Sequence, residues 1–507
     1  MHRLLLVILL GLVTVLPSAA QQTAGLTIVH YNDFHAQNVP VTMMIDDGEG
    51  GKTKVQVGGS ATLKAYVDGI RAENENVILL HAGDDVQGTP ISSLTNGRSQ
   101  FELLELIQPD AMTLGNHEFD HGTDNLRQLL TTVSFPIISA NLWDKVRGAP
   151  FVPRYRILRL RGLSVGVIGL APPDLPVLTM RENVRDLDVL DPVAAVRQTM
   201  GELERNHNVT CVIVLSHMGF EADSLLAEQV GGIDVIIGGH SHTALEIPRR
   251  VNGAIIAQAG ERGKWLGRID ATVETNSGII RSYHGRLIPT RTDAVTPNSI
   301  IAAKVAELEA QVAEGLGEQI AVLEKDWIRV FDGECTIGNW QADVMRDFAN
   351  ADVAFQNIGG IRKDMPAGPL TLRDMWEISP FDNEFVTFTV SGAQLLDMLR
   401  HQARSSKEFC QVSGVRYVYD FTAVPEEALR ADVAGRPVDA AATYRIVTNS
   451  YVGGHLYDVF GLPERDIVLS PALPAAVGRD VFIEYARRQG RITGDIEGRI
   501  TIIGKGK

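Results

Sequence analysis

Five short hydrophobic runs in this chain each stop abruptly at Asp, Asn or His. Leu26–Val29 leads into Asp33-Phe34-His35, Val77–Leu80 into Gly83-Asp84, and Ala111–Leu114 into Gly115-Asn116-His117-Glu118. Val212–Leu215 leads into Ser216-His217, and Val235–Ile237 into Gly238-Gly239-His240-Ser241-His242. Runs of this length, rich in Val and Ile, read as buried strands. In layered α/β folds, binding groups gather at the carboxyl ends of such strands. Asp33, His35, Asp84, Asn116, His217, His240 and His242 then make a ring of oxygen and imidazole donors along one sheet edge, which is the make-up of a polynuclear metal site.

Any one of these residues alone is more often a hydrogen-bonding or capping group than a ligand. Five islands in one region reverse that weighting. Seven candidate ligands exceed what one four-coordinate ion needs, and a carboxylate such as Asp84 can bridge two cations. Mixed imidazole and oxygen shells suit zinc, manganese, iron or cobalt without choosing among them. Two such ions ~3.5–4 Å apart are the recurring device of phosphatases and nucleases. Asp33 and His35, two apart, should point to one side of an extended strand tail, while Gly83 lets the backbone turn sharply beside Asp84. His117 neighbours Asn116 yet points elsewhere. With Asp120 three residues on, it can form an Asp–His pair aimed at the reacting group. His30, His81, His121, His207, His284 and His401 lack such context and read as structural or surface residues.

The elements that must hold this ring follow from periodicity. From about Gly25 to Leu287, strand-like runs (Arg161–Leu170 and Ala254–Ala259 among them) alternate with helix-like stretches such as Gly59–Ala72, Gln100–Leu106 and Pro192–Asn206. That is the pattern of a layered α/β domain. Thr290 to Pro297 is a polar boundary. Ser299 to Glu314 carries Ile300, Val305, Leu308 and Val312 near helical spacing, as a lone helix bridging two domains would. A second mixed α/β pattern begins near Ala321, with strands at Val353–Phe355, Phe385–Val390, Val415–Tyr419 and Tyr444–Thr448. The 507 residues, 45% hydrophobic and 21% charged, suffice for more than one core. The net charge of −15 argues against polymeric nucleic acid as partner. A small anionic substrate stays compatible with bound cations. Arg3, the apolar Leu4–Leu16 stretch and Pro17-Ser18-Ala19-Ala20 read as a secretory signal over residues 1–20. Export to a periplasm or the medium without a stable membrane anchor is therefore expected. The three cysteines make no disulfide scaffold: Cys211 reads as a core thiol, and pairing of Cys335 with Cys410 is left open, as is the oligomeric state.

At these residues the chain resembles the calcineurin-like metallophosphoesterases, in their secreted 5′-nucleotidase and UDP-sugar hydrolase branch. The resemblance implies a four-layered αββα catalytic domain over 25–290, a linker and bridging helix over 291–320, and a mixed α/β substrate-binding domain over 321–507 that rotates to deliver substrate. It implies that Asp33, His35, Asp84 and His242 hold one divalent ion, and Asp84, Asn116, His217 and His240 the other. His117 and Asp120 match the catalytic dyad. Gln356-Asn357-Ile358-Gly359-Gly360-Ile361-Arg362 resembles the family's Asn-Gly-Gly-Gly-Ile-Arg segment, and Ser379-Pro380-Phe381-Asp382-Asn383 its Pro-Phe-Gly-Asn stretch, where Phe stacks on a base. Arg329 lies where the family places another arginine. Arg329, Asn357, Arg362, Phe381, Asn383 and Tyr451 are thus the candidate substrate residues. One segment departs: in Asn449-Ser450-Tyr451-Val452-Gly453-Gly454-His455-Leu456-Tyr457, His455 replaces an Asp and Leu456 a Gly, so a second stacking ring must come from Tyr451 or Tyr457. The expected activity is release of phosphate from nucleoside 5′-monophosphates or related nucleotides by in-line attack of metal-bound hydroxide. The alternatives are UDP-sugar hydrolysis, 2′,3′-cyclic nucleotide hydrolysis, or the thiohydrolase chemistry of sulfur oxidation. The complete set of ligands disfavours a non-enzymatic nucleotide-binding protein.

Overall fold

Strand Thr23–Tyr31 sends Leu26 and Ile28 to one side and Val29 and Tyr31 to the other, the period of two that any strand imposes. In the computed structural model, which describes residues 22–46, 51–207, 209–404, 408–463, 465 and 467–505, both sides are buried. The secretory signal read over residues 1–20 lies outside the described residues. Thr23–Tyr31 pairs in parallel with Val77–His81, which pairs with Ala111–Thr113 and so on to Ile137–Ile138. On its other edge it pairs antiparallel with Trp265–Glu274, whose hairpin partner Ile280–Pro289 completes a six-stranded sheet. A second six-stranded sheet runs Arg249–Val251, Ala254–Ala257, Val235–Ile237, Cys211–Ser216, Leu163–Leu170, Tyr155–Leu160.

The two sheets face each other across one apolar layer. Leu26, Ile28, Ile78 and Leu80 from the first meet Val165, Val167, Ile213, Leu215, Val235 and Ile237 from the second. The outer faces are covered by helices. Ser60–Glu73 and Arg98–Ile107 pack on Val29, Tyr31 and Leu79, and Pro192–His207 and Phe220–Gln229 on Ile168, Val214 and Ile236. The result is four layers, helix–sheet–sheet–helix, with the central strands of both sheets ending toward one edge.

Ser299–Val312 is a helix capped by Asn298, whose Oδ1 accepts from the amides of Ile300 and Ile301 at 3.1 Å. It does not stand alone between domains as its sequence suggests. Ile301, Val305 and Leu308 dock it onto the first sheet's helices, and Ile300 is 67% exposed. Val305, Leu308 and Val312 pack as their spacing predicts, and at the first turn Ile301 takes the inward place expected of Ile300. From Gln319 onward the chain builds a five-stranded sheet around Val353–Asn357, Thr443–Asn449 and Phe385–Ser391, with smaller sheets of three and four strands, over a separate large core. Cys211, Cys335 and Cys410 are buried free thiols. Among the described residues no helix is long and apolar enough to cross a membrane.

Candidate metal centre

After three of the strands that carry the site, the backbone turns in a way that side chains rarely permit. Asp33, His35, Asp84, His240 and His242 all have positive φ, between 49° and 73°. Left-handed backbone at non-glycine residues is sparse and collects where a site over-determines the geometry. The expected extended tail at Asp33 and His35 is therefore not what forms. Strand Thr23–Tyr31 has ended, and both residues sit in a tight left-handed turn pinned by Asp33 N donating to Gly83 O at 3.0 Å and His35 N to Asp84 O at 3.0 Å. Gly83 itself has φ 88°, and a Cβ there would lie 2.6 Å from Gly115 N. A Cβ on Gly115 would fall 2.1 Å from Asp84 Oδ1. Two glycines thus let the second and third islands close on each other.

These turns bring the candidate ligands together. Asp33, His35 and His242 offer ligand atoms within 4.8 Å of one another, as do His35, Asp84 and His117, and also Asp84, His217 and His240. His35 Nε2 and His242 Nε2 face each other at 3.1 Å, and His217 Nε2 lies 3.1 Å from Asp84 Oδ2. Asn116 Oδ1 is buried without a hydrogen-bond partner. Opposed imidazole nitrogens and orphaned buried acceptors are satisfied by a cation between them. The donor set, imidazole and carboxylate with one amide carbonyl, suits divalent transition metals. The residues fit.

The surroundings orient these rings. His217 Nδ1 donates to Ala82 O at 2.5 Å, and His242 Nδ1 meets Glu261 Oε2 at 3.1 Å, so each Nε2 is left for the centre. Burial opposes charge on His217, yet Asp84 and Asp33 push its pKa up to about 10. Burial likewise opposes charge on His242, but Asp33 and Glu261 raise it to about 9. The same field holds Asp33 low against burial, through His242 and His217. The pocket therefore attracts positive charge, which divalent cations supply as they displace protons. His117 donates from Nδ1 to Asp120 Oδ2 at 2.8 Å on a 3₁₀ turn over His117–Phe119. Its Nε2 stays 3.9 Å from Asp84 Oδ2.

The sequence pattern of the calcineurin-like phosphoesterases matches residues 26–244, and that of the 5′-nucleotidase C-terminal domain matches residues 319–461. The chain is 30% identical to 5′-nucleotidase of Rattus norvegicus over 98% of this chain and 93% of that one. The chain belongs to the 5′-nucleotidase family of calcineurin-like metallophosphoesterases. It is a metal-dependent phosphoester hydrolase. A crystal structure of a 5′-nucleotidase precursor from Thermus thermophilus superposes with a TM-score of 0.85 at 28% identity, covering 95% of this chain and all of that one. Endonuclease YhcR of Bacillus subtilis (strain 168) is 29% identical over 96% of this chain, which spans 42% of its length.

In this 5′-nucleotidase-family chain the second domain meets the centre directly. Arg362 Nη2 stands 3.4 Å from His35 Nε2, and the Phe381 ring stacks on His117 at 5.8 Å and 27°. Phe381 is half-buried rather than a core aromatic. Arg329 is held by Asp364 Oδ1 at 3.0 Å, close enough for its charge to reach Arg362. Asn357 is buried, its Oδ1 accepting from Asn449 at 2.8 Å. Asn383 is occupied structurally, its Oδ1 accepting from Ser450 Oγ at 3.1 Å. The Tyr451 hydroxyl donates to Val177 O of the first domain at 2.8 Å, and Tyr457 is 63% exposed. His455, where the family has Asp, is fully buried between Tyr451 O at 2.7 Å and Pro176 O at 3.1 Å, so it joins the domains instead of lining the cleft.

Three contributors carry no assignment from sequence. Glu118 accepts from the amides of Gly115 at 2.7 Å, Asp85 at 2.8 Å and Asp84 at 3.0 Å, tying two islands through one carboxylate. Its place in the Gly-Asn-His-Glu run was the available signal. Glu261 and Arg262 had none: a single turn places one carboxylate on His242 and one guanidinium on Arg362 O at 2.6 Å.

Proposed function

We propose that the chain releases phosphate from nucleoside 5′-monophosphates or related nucleotides at a two-ion centre. Asp33, His35, Asp84 and His242 hold one ion, and Asp84, Asn116, His217 and His240 the other. The observation that supports this most is the convergence of donors from five separated islands. Their His and Asp atoms form overlapping groups, each within 4.8 Å, and Asn116 adds a buried, unpartnered carbonyl oxygen. Divalent cations bound there, zinc, manganese or similar, polarise phosphoryl oxygens and lower the pKa of water. The chain's own residues do the rest. Arg362, beside His35, grips phosphoryl oxygens with its planar fork. Asn116 and His117 face the charge that develops on the transferring group. Asp120 fixes the His117 tautomer so that Nε2 points to the reacting atoms. Phe381 offers its ring to the base, a stack worth ~1–3 kcal/mol. The apolar Leu4–Leu16 stretch after Arg3 supports export, to a periplasm or the medium.

A phosphate-release panel on the metal-loaded protein tests the reading. AMP, UDP-glucose, 2′,3′-cyclic AMP and p-nitrophenyl phosphate are compared in added manganese or zinc. Fastest turnover on AMP supports it. Preference for UDP-glucose or the cyclic ester moves the assignment within the same site, and failure on AMP, UDP-glucose and the cyclic ester overturns the nucleotide reading.

A further inference from the structure

One carboxylate on the second-domain wall has no part in the reaction as derived. Glu408 precedes strand Cys410–Ser413 and leans over the turn Ile358–Gly360, where a Cβ on Gly359 would meet its Oε1 at 3.2 Å. Its partners among the described residues are neutral and distant. Asn357 Nδ2 lies 3.3 Å from Oε2, and the Tyr451 hydroxyl, committed to Val177 O at 2.8 Å, lies 3.4 Å from Oε1. Burial raises the Glu408 pKa, and Asn357, Tyr451 and Arg362 only partly offset it. The same turn continues to Arg362 at His35, so the carboxylate shares a wall with the phosphate-gripping guanidinium, whose charge reaches it. A carboxylate there repels the phosphate end of a substrate and accepts from neutral hydroxyl donors. Its two oxygens match two adjacent hydroxyls, and such charge-assisted bonds are roughly twice as strong as neutral ones. His455, engaged on both ring nitrogens by backbone carbonyls, is not available for that task.

We propose that Glu408 binds the vicinal hydroxyls of the substrate's sugar and makes the site select ribonucleotides over esters lacking that diol. The inference rests on the nucleotide reading above. Its test is kcat/KM for AMP, 2′,3′-dideoxy-AMP and p-nitrophenyl phosphate with wild type and Glu408→Gln, both metal-loaded. Wild type should favour AMP over the dideoxy ester by about tenfold or more, as sites built around a substrate hydroxyl do. Glu408→Gln should lose about that factor on AMP alone. Its turnover of p-nitrophenyl phosphate should stay within about twofold of wild type, which also certifies the variant's fold. If Glu408→Gln fails that check, Glu408→Asp is read the same way, with the loss confined to AMP. A preference for AMP that survives substitution, or an equal loss on all three esters, overturns the inference while leaving the hydrolase intact. Wild-type turnover of p-nitrophenyl phosphate without turnover of AMP overturns the nucleotide reading, and this inference with it.

Discussion

His117 and Asn116 are neighbours in sequence with different work to do. Asn116 carries a buried, unpartnered carbonyl oxygen, and His117 turns its ring onto Asp120 and Phe381. If His117 acts on the reacting group alone, His117→Ala keeps its metal content by elemental analysis. Its kcat falls by about 10²–10⁴, the span of a lost general acid or charge-stabilising group. Unchanged kcat in a metal-replete variant would remove His117 from the chemistry. The neighbouring Glu118 has a different character: it touches no reacting atom and holds the loops that carry Asp84 and Asn116.

At the scale of elements, strands were the most legible feature. Buried runs such as Val77–Leu80 and Val212–Leu215 coincide with strands because both faces of each sheet are covered, so continuous hydrophobicity is what burial demands. The order of Asp, Asn and His after those runs was equally readable. The conformation of the loops beyond the strands was not. Asp33 and His35 look like an extended tail by spacing, whereas hydrogen bonds to the Gly83–Asp84 loop impose left-handed backbone. The roles of Glu261, Arg262 and Glu408 arise only when distant turns converge, and no local pattern encodes that. His455, marked by sequence as a change in the cleft, proves to be a joint between domains. The close approach of loops yields a sharp expectation. Gly115→Ala places a methyl at 2.1 Å from Asp84 Oδ1. That must push the carboxylate aside, so the variant is expected to bind metal about 10–100-fold more weakly by titration, as displaced support for a ligand does. Wild-type affinity would show that the two islands are not packed as described.

At the scale of the molecule, the second domain closes over the centre through Tyr451 on Val177, His455 on Pro176, Arg262 on Arg362 and Arg181 on Asp458 at 3.2 Å. Substrate cannot enter between His117 and Phe381 while those rings stack. If turnover requires opening, joining Arg181→Cys to Asp458→Cys with a short thiol-cleavable linker should cut kcat to about a tenth or less, with recovery on cleavage. Full activity in the locked protein would exclude domain motion from the cycle. All of this presupposes a pair of ions clasped by Asp33, His35, Asp84, Asn116, His217, His240 and His242. Anomalous diffraction from manganese-loaded crystals locates such ions without reference to activity. Two anomalous peaks about 3.5–4 Å apart, one on each side of Asp84, are expected. A single peak, or metal bound away from these seven side chains, would contradict the two-ion centre.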